Sequence, residues 1–479
     1  MAMCVAAVYS RQRVEGSASV NSSQPAPGPR SVLGIRQTIA FRRSPITYLQ
    51  KLAATYGDVV RFRLGWRSAF LLNHPDLVQE FFVVQASRQV RGPVMQRGRA
   101  VLGDGLLTSE EPLHAIQRRL IQPAFHRERI AHHARVMGEY AGNACNRWRD
   151  GQTIDLRKEM MALTLAILGR TLFNQKIDED AGEIADAVTG LMSLVNLVFV
   201  PFSQQLMRLP VPGMPRLKRV RERFDRLIYG LIEARMRSRS EGDDLLSMLL
   251  QHQTSEGNRE QAIRQVRDEC LTILLAGHET IANALTYALL LLARHPEHAD
   301  RVRAEVKRVS GLKDLQAEDY EALAFTRCAL LESMRLYPPV WILARALKQA
   351  CPIGPHSAPR NSIVFASQYL LHRDARFFPE PEAFHPDRFL GGKGQQFAYF
   401  PFGIGPRRCI GEGFALMEGV LALATILRRW EVQLLPETKL VLDPKITLRP
   451  KFPVLVRVAP AQDVRATVDG RSGTIPSCA

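Results

Sequence analysis

The chain has 479 residues, of which 46% are hydrophobic and 23% charged, so its composition is globular and its length suffices for a large buried core. The formal net charge is +17, but the sequence contains no dense basic run, no zinc-finger spacing and no basic strand interleaved with aromatic residues, which disfavours a nucleic-acid-binding function. The seven cysteines form no Cys-x-x-Cys pair, which favours a reducing compartment over a disulfide-stabilised secreted fold.

The ends of the chain differ in composition from its interior. Residues 1–30 are rich in Ser, Gln and Pro, and we expect them and residues 460–479 to be disordered tails around a single catalytic domain at 31–459. The N-terminal tail lacks the apolar stretch of a signal peptide, and the best apolar run, Ile281–Ala293, has 13 residues, too few to span a bilayer. The sequence therefore predicts a cytoplasmic protein without a membrane anchor.

The first quarter of the domain combines helices with a hairpin. A helix is predicted at Pro45–Tyr56, and strands at Val59–Leu64 and Ala69–Leu72 flank a turn that contains Gly65. Helical signals resume at Asp76–Val84. The next stretch, Ser87–Gly105, is predicted to be an irregular basic loop, with arginines at Arg88, Arg91, Arg97 and Arg99.

Helical periodicity dominates the middle of the chain. His114 and Arg118 are four residues apart and therefore share a helix face, which on its own fits a solvated basic surface. Further on, Gly190–Phe202 is strongly apolar, Leu209–Gly213 breaks the pattern, and Arg216–Arg237 is a basic helix. Two core helices and a loop are one interpretation of this arrangement.

A long buried helix is predicted from Asn258 to Arg294, which at ~1.5 Å per residue is roughly 50 Å long. Gly277 in its interior costs about 1 kcal/mol relative to alanine, so a role such as close approach of a ligand is expected. Thr280 can donate a hydrogen bond to the carbonyl of Ala276 and locally open the helix.

Charged residues also occur in apolar surroundings near the C-terminal third. Glu332 and Arg335 are three residues apart in an apolar helix, and a buried pair of this kind needs further hydrogen bonds. Arg388 follows in a proline-rich segment, and Arg345 lies in a predicted strand. A hairpin is predicted at Ile446–Val458, its turn closing the far side of a pocket.

The most specific stretch is Phe402–Gly411, in which Cys409 lies in a glycine- and proline-rich loop directly before a predicted buried helix. Helix dipoles favour negative charge at such a position, and Arg407 and Arg408 act in the same direction, so we expect a lowered thiol pKa. A single thiolate suits haem iron, whose proximal thiolate favours O–O cleavage. A buried free cysteine in a turn is the alternative.

The spacing of Phe402, Gly405, Arg407, Cys409 and Gly411 resembles the haem-binding loop of the cytochrome P450 monooxygenases. The resemblance implies the fold of that family, which is mainly α with small β-sheets, with a long central helix over haem b and the cysteine loop on its proximal side. It implies that Cys409 is the metal ligand and that the haem is contacted by His114, Arg118, Ala276, Gly277, Arg345, Phe402, Arg407 and Gly411.

The same resemblance assigns further roles. It implies that O₂ binds beside Gly277 and that Thr280 and Glu279 deliver protons to it, whereas a threonine that only satisfies its own helix is the alternative. It implies that the region from Gly190 to Arg237 is a mobile lid and that Ser87–Gly105 roofs the pocket. Glu332, Arg335 and Arg388 are assigned to architecture, and the pocket is expected to be lined by Trp341, Ile342 and Leu343.

The implied activity is insertion of one oxygen atom of O₂ into a lipophilic molecule such as a fatty acid, terpenoid or polyketide. No flavin or iron–sulfur segment is present, so electrons are expected from a ferredoxin or flavodoxin with its NAD(P)H reductase, and we expect a monomer. Alternatives are a peroxide-dependent peroxygenase or isomerase, and a non-enzymatic haem sensor. An acidic redox partner is expected to dock on Arg119, Arg408, Arg428 and Arg429.

Overall fold

The computed structural model describes residues 25–31, 33–175, 214–238, 244–253, 258–311, 313–391 and 397–461. Helices dominate these ranges and the sheets are small, which confirms the predicted mainly α class. The α-helices are α1 (Ile35–Arg43), α2 (Pro45–Tyr56), α3 (Pro75–Gln79), α4 (Pro93–Leu102), α5 (Leu113–Ile121), α6 (Arg127–Asn146), α7 (Leu156–Leu172), α8 (Met214–Ser238), α9 (Leu245–Gln253), α10 (Arg259–Arg294), α11 (Pro296–Ser310), α12 (Asp319–Ala322), α13 (Ala324–Leu336), α14 (Gln368–Leu371) and α15 (Glu412–Arg429).

The largest sheet has five strands in the order β1-β2-β8-β5-β3, in which only β2 and β8 are parallel. A second sheet has the order β4-β12-β9, and β6-β7 and β10-β11 are separate pairs. The strands are β1 (Val59–Leu64), β2 (Arg67–Leu72), β3 (Gln89–Arg91), β4 (Thr153–Asp155), β5 (Leu343–Leu347), β6 (Cys351–Ile353), β7 (His356–Ala358), β8 (Ile363–Ala366), β9 (Trp430–Leu434), β10 (Leu442–Pro444), β11 (Leu448–Pro450) and β12 (Leu455–Pro460).

Helix α10 is the centre of the fold and packs against α7, α9, α13 and α15. It begins where the sequence predicted, because the side chain of Asn258 accepts a hydrogen bond from the N–H of Glu260 at 3.0 Å. By length and composition alone α10 is apolar enough for a membrane span, but 83% of its most apolar window is buried inside the protein. It is therefore a core helix, and no other helix in the described part of the chain meets that test.

The basic stretch Ser87–Gly105 is not an irregular loop, so that prediction is wrong. It contains β3, which pairs with β5, and the ten-residue helix α4. Pro93 occupies the first turn of α4, where its missing N–H costs nothing, and Gly103 ends the helix with a φ of 75°. The helix was missed because polar residues between Pro93 and Gly103 interrupt its apolar period. The strand was missed because β3 has only three residues and is defined by its pairing with β5.

The C-terminal hairpin is also displaced from its predicted position. The hairpin is formed by β10 and β11, with the turn at Lys445–Thr447, whereas β12 pairs with β4 and β9 instead. At the other end of the chain, residues 25–30 were expected to be disordered, but they lie against β1. The N–H of Arg61 on β1 donates a hydrogen bond to the carbonyl of Pro27 at 2.7 Å.

Some predictions fall on residues that the structure does not describe. The apolar segment Gly190–Phe202 and the break at Leu209–Gly213, which were interpreted as a lid or as two core helices and a loop, lie outside the described residues. The rest of the two predicted tails, 1–24 and 462–479, lies outside them as well.

Candidate active site

An accessible strip interrupts the buried surface of α10. Ala276 is exposed and Gly277 and Thr280 are partly exposed, although the residues on either side along the helix are buried. The hydroxyl of Thr280 donates to the carbonyl of Ala276 at 2.6 Å, as the sequence predicted. A Cβ on Gly277 would lie 3.0 Å from Cδ1 of Leu168, so the missing side chain serves the packing of α10 on α7 and not only the approach of a ligand.

Glu279 lies on α10 beside this strip but is buried. Its Oε1 accepts hydrogen bonds from the hydroxyl of Thr447 at 3.0 Å and from the guanidinium of Arg157 at 3.4 Å. Arg157 also donates to the side-chain carbonyl of Asn283 at 3.2 Å. The carboxylate is therefore held between α7 and the β10–β11 turn, and any proton it gives to the strip must pass through movement of this group or through water.

The cysteine loop is closed by its own backbone. The N–H of Cys409 donates to the carbonyl of Phe402 at 2.8 Å. Gly405 has a φ of 70°, and a Cβ there would lie 2.3 Å from the carbonyl oxygen of Phe82, so only glycine fits this position. The loop ends at the first turn of α15, which starts at Glu412, so Cys409 lies next to a helix N-terminus, as predicted.

The prediction of a lowered thiol pKa is wrong for the protein by itself. Burial raises the pKa of Cys409 above its ordinary value, and the hydrogen bond from the N–H of Gly411 opposes this only in part. Arg407 turns away to Glu110, and Arg408 forms a bidentate ion pair with Glu412 at 2.6 Å. The residue is nevertheless exposed, and a metal ion bound there would stabilise its thiolate.

Three arginines form a cluster near the cysteine loop. Arg91 on β3 is directly opposite Arg345 on β5, and both are buried. Burial and repulsion from Arg407 lower the pKa of Arg345 to about 10, and burial and the two neighbouring guanidinium groups lower the pKa of Arg91. Arg407 is held by the carbonyl of Ser109 at 2.7 Å and by Glu110 at 3.3 Å.

The cluster has the charge and the unpaired donors that an anion-binding site needs. Nε of Arg91 is buried without a hydrogen-bond partner, and so is the hydroxyl of Ser109. A buried donor without a hydrogen-bond partner destabilises the fold, and so does repulsion among clustered arginines. A ligand that carries carboxylates would pair with the donors and neutralise the repulsion. The sequence singled out Arg345 and Arg407 but assigned Arg91 to the pocket roof, because the pairing of β3 with β5 has no local sequence signal.

His114 and Arg118 share α5, but they have different surroundings. His114 is buried and its Nδ1 lies 2.9 Å from a carboxylate oxygen of Glu111. Burial and the charge of Arg407 lower the pKa of His114 to about 4, so its ring is neutral at neutral pH. Arg118 donates to the backbone carbonyl of Arg408 at 2.7 Å and thereby holds the cysteine loop.

Glu332, Arg335 and Arg388 form one buried network. Arg335 donates to both carboxylate oxygens of Glu332 at 2.7 and 2.8 Å, and Arg388 donates to Oε1 at 3.1 Å. The N–H of His385 donates to the same oxygen at 2.9 Å. The remaining donors of Arg335 reach the carbonyls of His372, Pro381 and Ala383, so the network ties α13 to the segment that leads to the cysteine loop.

Trp341 is not a pocket residue. Its side chain is buried in the apolar cluster beneath the five-stranded sheet, and its Nε1 donates to the carbonyl of Lys445 at 2.8 Å. Ile342 and Leu343 are partly exposed at the start of β5 and remain candidates for the pocket wall.

Two carboxylates of α10 that sequence reasoning missed hold the segment after α4. Asp268 accepts from the N–H of Asp104 at 2.8 Å, and Glu269 accepts from the N–H of Leu106 at 2.9 Å. A Cβ on Gly103 would lie about 2 Å from the Asp268 carboxylate, so the contact requires glycine. Burial raises the pKa of Glu269 to about 7. Two adjacent acids directly before the apolar stretch that begins at Cys270 were an available signal.

These features fit haem. The described residues contain no cluster of three or more His, Cys, Asp or Glu side chains that could hold a metal ion, so a metal bound by Cys409 must bring most of its ligands with it. Porphyrin nitrogens meet that need, and a haem also carries carboxylates for the Arg91, Arg345 and Arg407 cluster. The small residues Ala276 and Gly277 leave room above a flat ligand.

Comparison with known proteins gives the same result. Residues 25–456 match the family model described as Cytochrome P450. Cyclooctatin synthase from Streptomyces melanosporofaciens is 35% identical, over 88% of this chain and 93% of the relative, and cyclooctat-9-en-7-ol 5-monooxygenase from the same organism is 35% identical, over 87% and 90%. Pentalenene oxygenase from Streptomyces avermitilis is 31% identical, over 86% and 92%. The chain therefore belongs to the cytochrome P450 family and is a haem-binding monooxygenase.

Proposed function

We propose that this monooxygenase hydroxylates or epoxidises a cyclic terpenoid, with Cys409 as the axial haem ligand. The observation that carries the proposal is the exposed Cys409 in the glycine-rich loop before α15, together with the accessible strip on α10. The names of three relatives, two from the cyclooctatin series and one acting on pentalenene, support the substrate class. The haem supplies oxygen activation when bound.

The side chains of this chain then have separate tasks. Cys409 donates electron density to the metal, and Arg91, Arg345, Arg407 and His114 hold the haem carboxylates. Ala276 and Gly277 keep space open for O₂ and substrate. The hydroxyl of Thr280 holds and passes on a proton at this space, with Glu279 as the buried acid behind it.

The terpenoid class is tested by a substrate screen. We expect cyclic diterpene and sesquiterpene hydrocarbons and their mono-alcohols to shift the haem spin state of the purified protein, with dissociation constants in the micromolar range. Linear fatty acids of similar carbon number serve as the comparison. A response to fatty acids and none to any cyclic terpenoid would show that the substrate class is wrong while leaving the reaction class intact.

Replacing Thr280 with alanine should separate electron use from product formation. The hydroxyl lies on the accessible strip, so its loss is expected to lower product formation about 100-fold, the lower end of the range for positioned proton transfer. NAD(P)H oxidation should continue and end in released hydrogen peroxide. The measurement is product and peroxide formed per NAD(P)H at saturating reductase.

Thr286 is the matched control for this change. Its hydroxyl donates to the carbonyl of Ala282 at 2.7 Å on the same helix, but it is fully buried and does not reach the strip. Thr286→Ala is therefore expected to retain coupled turnover. Equal uncoupling in both variants would assign Thr280 to helix structure instead of proton transfer.

Arg91→Leu should weaken haem retention. The variant removes one of the three clustered cations and the unpaired Nε, so we expect haem transfer to an apo-globin acceptor to be about 10- to 100-fold faster. Arg264→Leu, which alters an exposed arginine paired with Glu260 on α10, is the control and should leave the rate unchanged. Equal rates in all three proteins would show that Arg91 does not hold the cofactor.

Electron delivery is proposed to use a smaller surface than the sequence suggested. Arg428 and Arg429 are engaged at the far end of α15, with Asp314, Gly142 and the side chain of Asn146. Arg119 on α5 and Arg408 in the cysteine loop are exposed and remain as the proposed docking cations, although Arg408 is itself paired with Glu412. The cysteine usage supports a cytoplasmic setting, where an acidic ferredoxin or flavodoxin is the proposed partner.

Arg408→Glu should slow reduction by an acidic ferredoxin at least tenfold at low salt, because charge steers such encounters. The difference should shrink as ionic strength rises to 0.5 M, since the charges are then screened. Stopped-flow reduction of the haem measures this rate, and Arg264→Glu is the matched charge reversal on a distant helix. A similar slowing in the control would remove the case for docking beside the cysteine loop.

A further inference from the structure

Large apolar side chains are exposed together near the start of the described chain. Leu33, Ile35 and Ile39 are 65%, 59% and 48% exposed, and Trp66 is 74% exposed. We call these four residues the N-terminal patch. Single exposed apolar residues are ordinary, but a group of four that includes a tryptophan on one surface is not.

Direct contacts join the two parts of this patch. The N–H of Gly65, the residue before Trp66, donates to the hydroxyl of Thr38 on α1 at 2.8 Å. A Cβ on Gly34, next to Leu33 and Ile35, would lie 2.7 Å from the carbonyl oxygen of Gly65. The start of α1 therefore sits on the tip of the β1–β2 hairpin, which brings Trp66 beside the exposed side of α1.

Helix α1 packs Gln37, Thr38 and Phe41 against the protein and exposes its two isoleucines to solvent. Gln37 is buried and Thr38 contacts the hairpin, while Phe41 packs against the rings of Tyr48, Phe62 and Phe365. At 100° per residue, Ile35 and Ile39 lie on the opposite side of the helix, with Arg36, Arg42 and Arg43 around them. An apolar centre with arginines at its border faces outward.

The surroundings of the patch are strongly basic. Between residues 25 and 75 the sequence has eight Lys and Arg residues and a single acid, Asp58, which is paired with Arg376. Arg42, Arg67 and Arg97 come from α1, β2 and α4. Burial lowers the pKa of Arg97, and repulsion from Arg67 and Arg42 lowers it further, so the three cations lie near one another. Three separate elements thus build one cationic, apolar surface.

We propose that this surface binds peripherally to an anionic lipid bilayer, with the N-terminal patch inserted at the headgroup level. Tryptophan and isoleucine suit the boundary between headgroups and acyl chains, and arginines reach anionic headgroups while their stems stay apolar. A partner protein with an acidic rim and a second copy of this chain are the competing occupants. Among the described residues 25–75 the one acid, Asp58, is paired with Arg376, so two copies of this basic face would repel each other, whereas anionic headgroups complement it.

The test is co-sedimentation of the full-length, haem-loaded protein with vesicles of phosphatidylcholine alone or with 40% phosphatidylglycerol. We expect binding to the anionic vesicles, little binding to the neutral ones, and release by 0.5 M NaCl. Trp66→Ala should weaken the partition constant about tenfold. Arg42→Gln with Arg67→Gln should weaken it about 25-fold, because each cation near such a surface contributes a factor of about five.

Leu390→Ala is the matched control, since Leu390 is an exposed apolar residue at the end of the helical turn that packs against α13. It should bind as the parent does, and the carbon-monoxide difference spectrum checks that every variant is folded. Failure of the parent to sediment with anionic vesicles at low salt, or equal binding by Trp66→Ala, would overturn the proposal. A parent that elutes as a dimer, and a Trp66→Ala variant that elutes as a monomer, would assign the patch to a second copy.

Discussion

Glu332→Gln is expected to cost about 3 to 5 kcal/mol of unfolding free energy, the usual penalty for breaking a buried ion pair by removing one partner. Its carboxylate accepts hydrogen bonds from Arg335, from Arg388 and from the N–H of His385, and the side chains of Glu332 and Arg335 are fully buried. Glutamine keeps the shape but offers one acceptor oxygen, and its amide donates towards groups that also donate. The fully buried guanidinium of Arg335 and the largely buried guanidinium of Arg388 then lose their shared anionic partner.

Such a loss is a large part of the 5 to 15 kcal/mol that stabilises an ordinary folded protein. We therefore expect the variant to accumulate poorly at 37 °C and to unfold at a markedly lower urea concentration. Unfolding is measured by far-UV circular dichroism on variant and parent proteins with the same haem content. Glu321→Gln is the matched control, because Glu321 is exposed and pairs with Arg127 and Arg327 at 3.1 and 3.2 Å. Exposed pairs of this kind contribute less than about 1 kcal/mol. Equal midpoints for the two variants would show that the buried network contributes little to stability.

The elements with strong local signals were predictable from the sequence. Helix α2 begins at Pro45 and ends before Gly57, and the hairpin β1–β2 turns at Gly65, all as expected from proline and glycine chemistry. Helix α10 was evident from its length and apolar content. By contrast β3 and β12 were missed or misassigned, because their partners are far away in sequence and a three-residue strand has no period of its own.

In the candidate site, too, the features that depend on neighbours in sequence were predictable, and those that depend on distant contacts were not. The cysteine loop and the Thr280 bond to Ala276 depend on neighbours in sequence, and the structure shows both arrangements. Arg91 joined the cation cluster through a strand pairing that the sequence did not reveal. The thiol pKa was misjudged because the sequence does not show how deeply the thiol is buried. Burial outweighs the charge of Arg408, whose partner Glu412 raises the pKa in turn, and Arg407 is paired with Glu110.

Replacing Cys409 with serine is the change with the largest expected effect on function. A serine hydroxyl has nearly the same size, so the closed loop and the start of α15 should persist, but it is a hard, weakly acidic oxygen that cannot replace a soft thiolate donor. We expect product formation to fall to background. The reduced, carbon-monoxide-bound protein should also lose the red-shifted Soret band of sulfur ligation, a readout that does not depend on substrate or reductase.

A second cysteine separates this effect from a general loss of structure. Cys328 on α13 is buried, burial raises the pKa of its thiol to about 11, and it lies outside the cysteine loop, so it serves as the control. Cys328→Ser should cost some stability and leave the spectrum unchanged. Persistence of the red-shifted band in Cys409→Ser, or its loss in Cys328→Ser alone, would show that the axial donor is not Cys409. The roles of Thr280 and of the arginine cluster depend on that bond, because both are defined by where the haem lies.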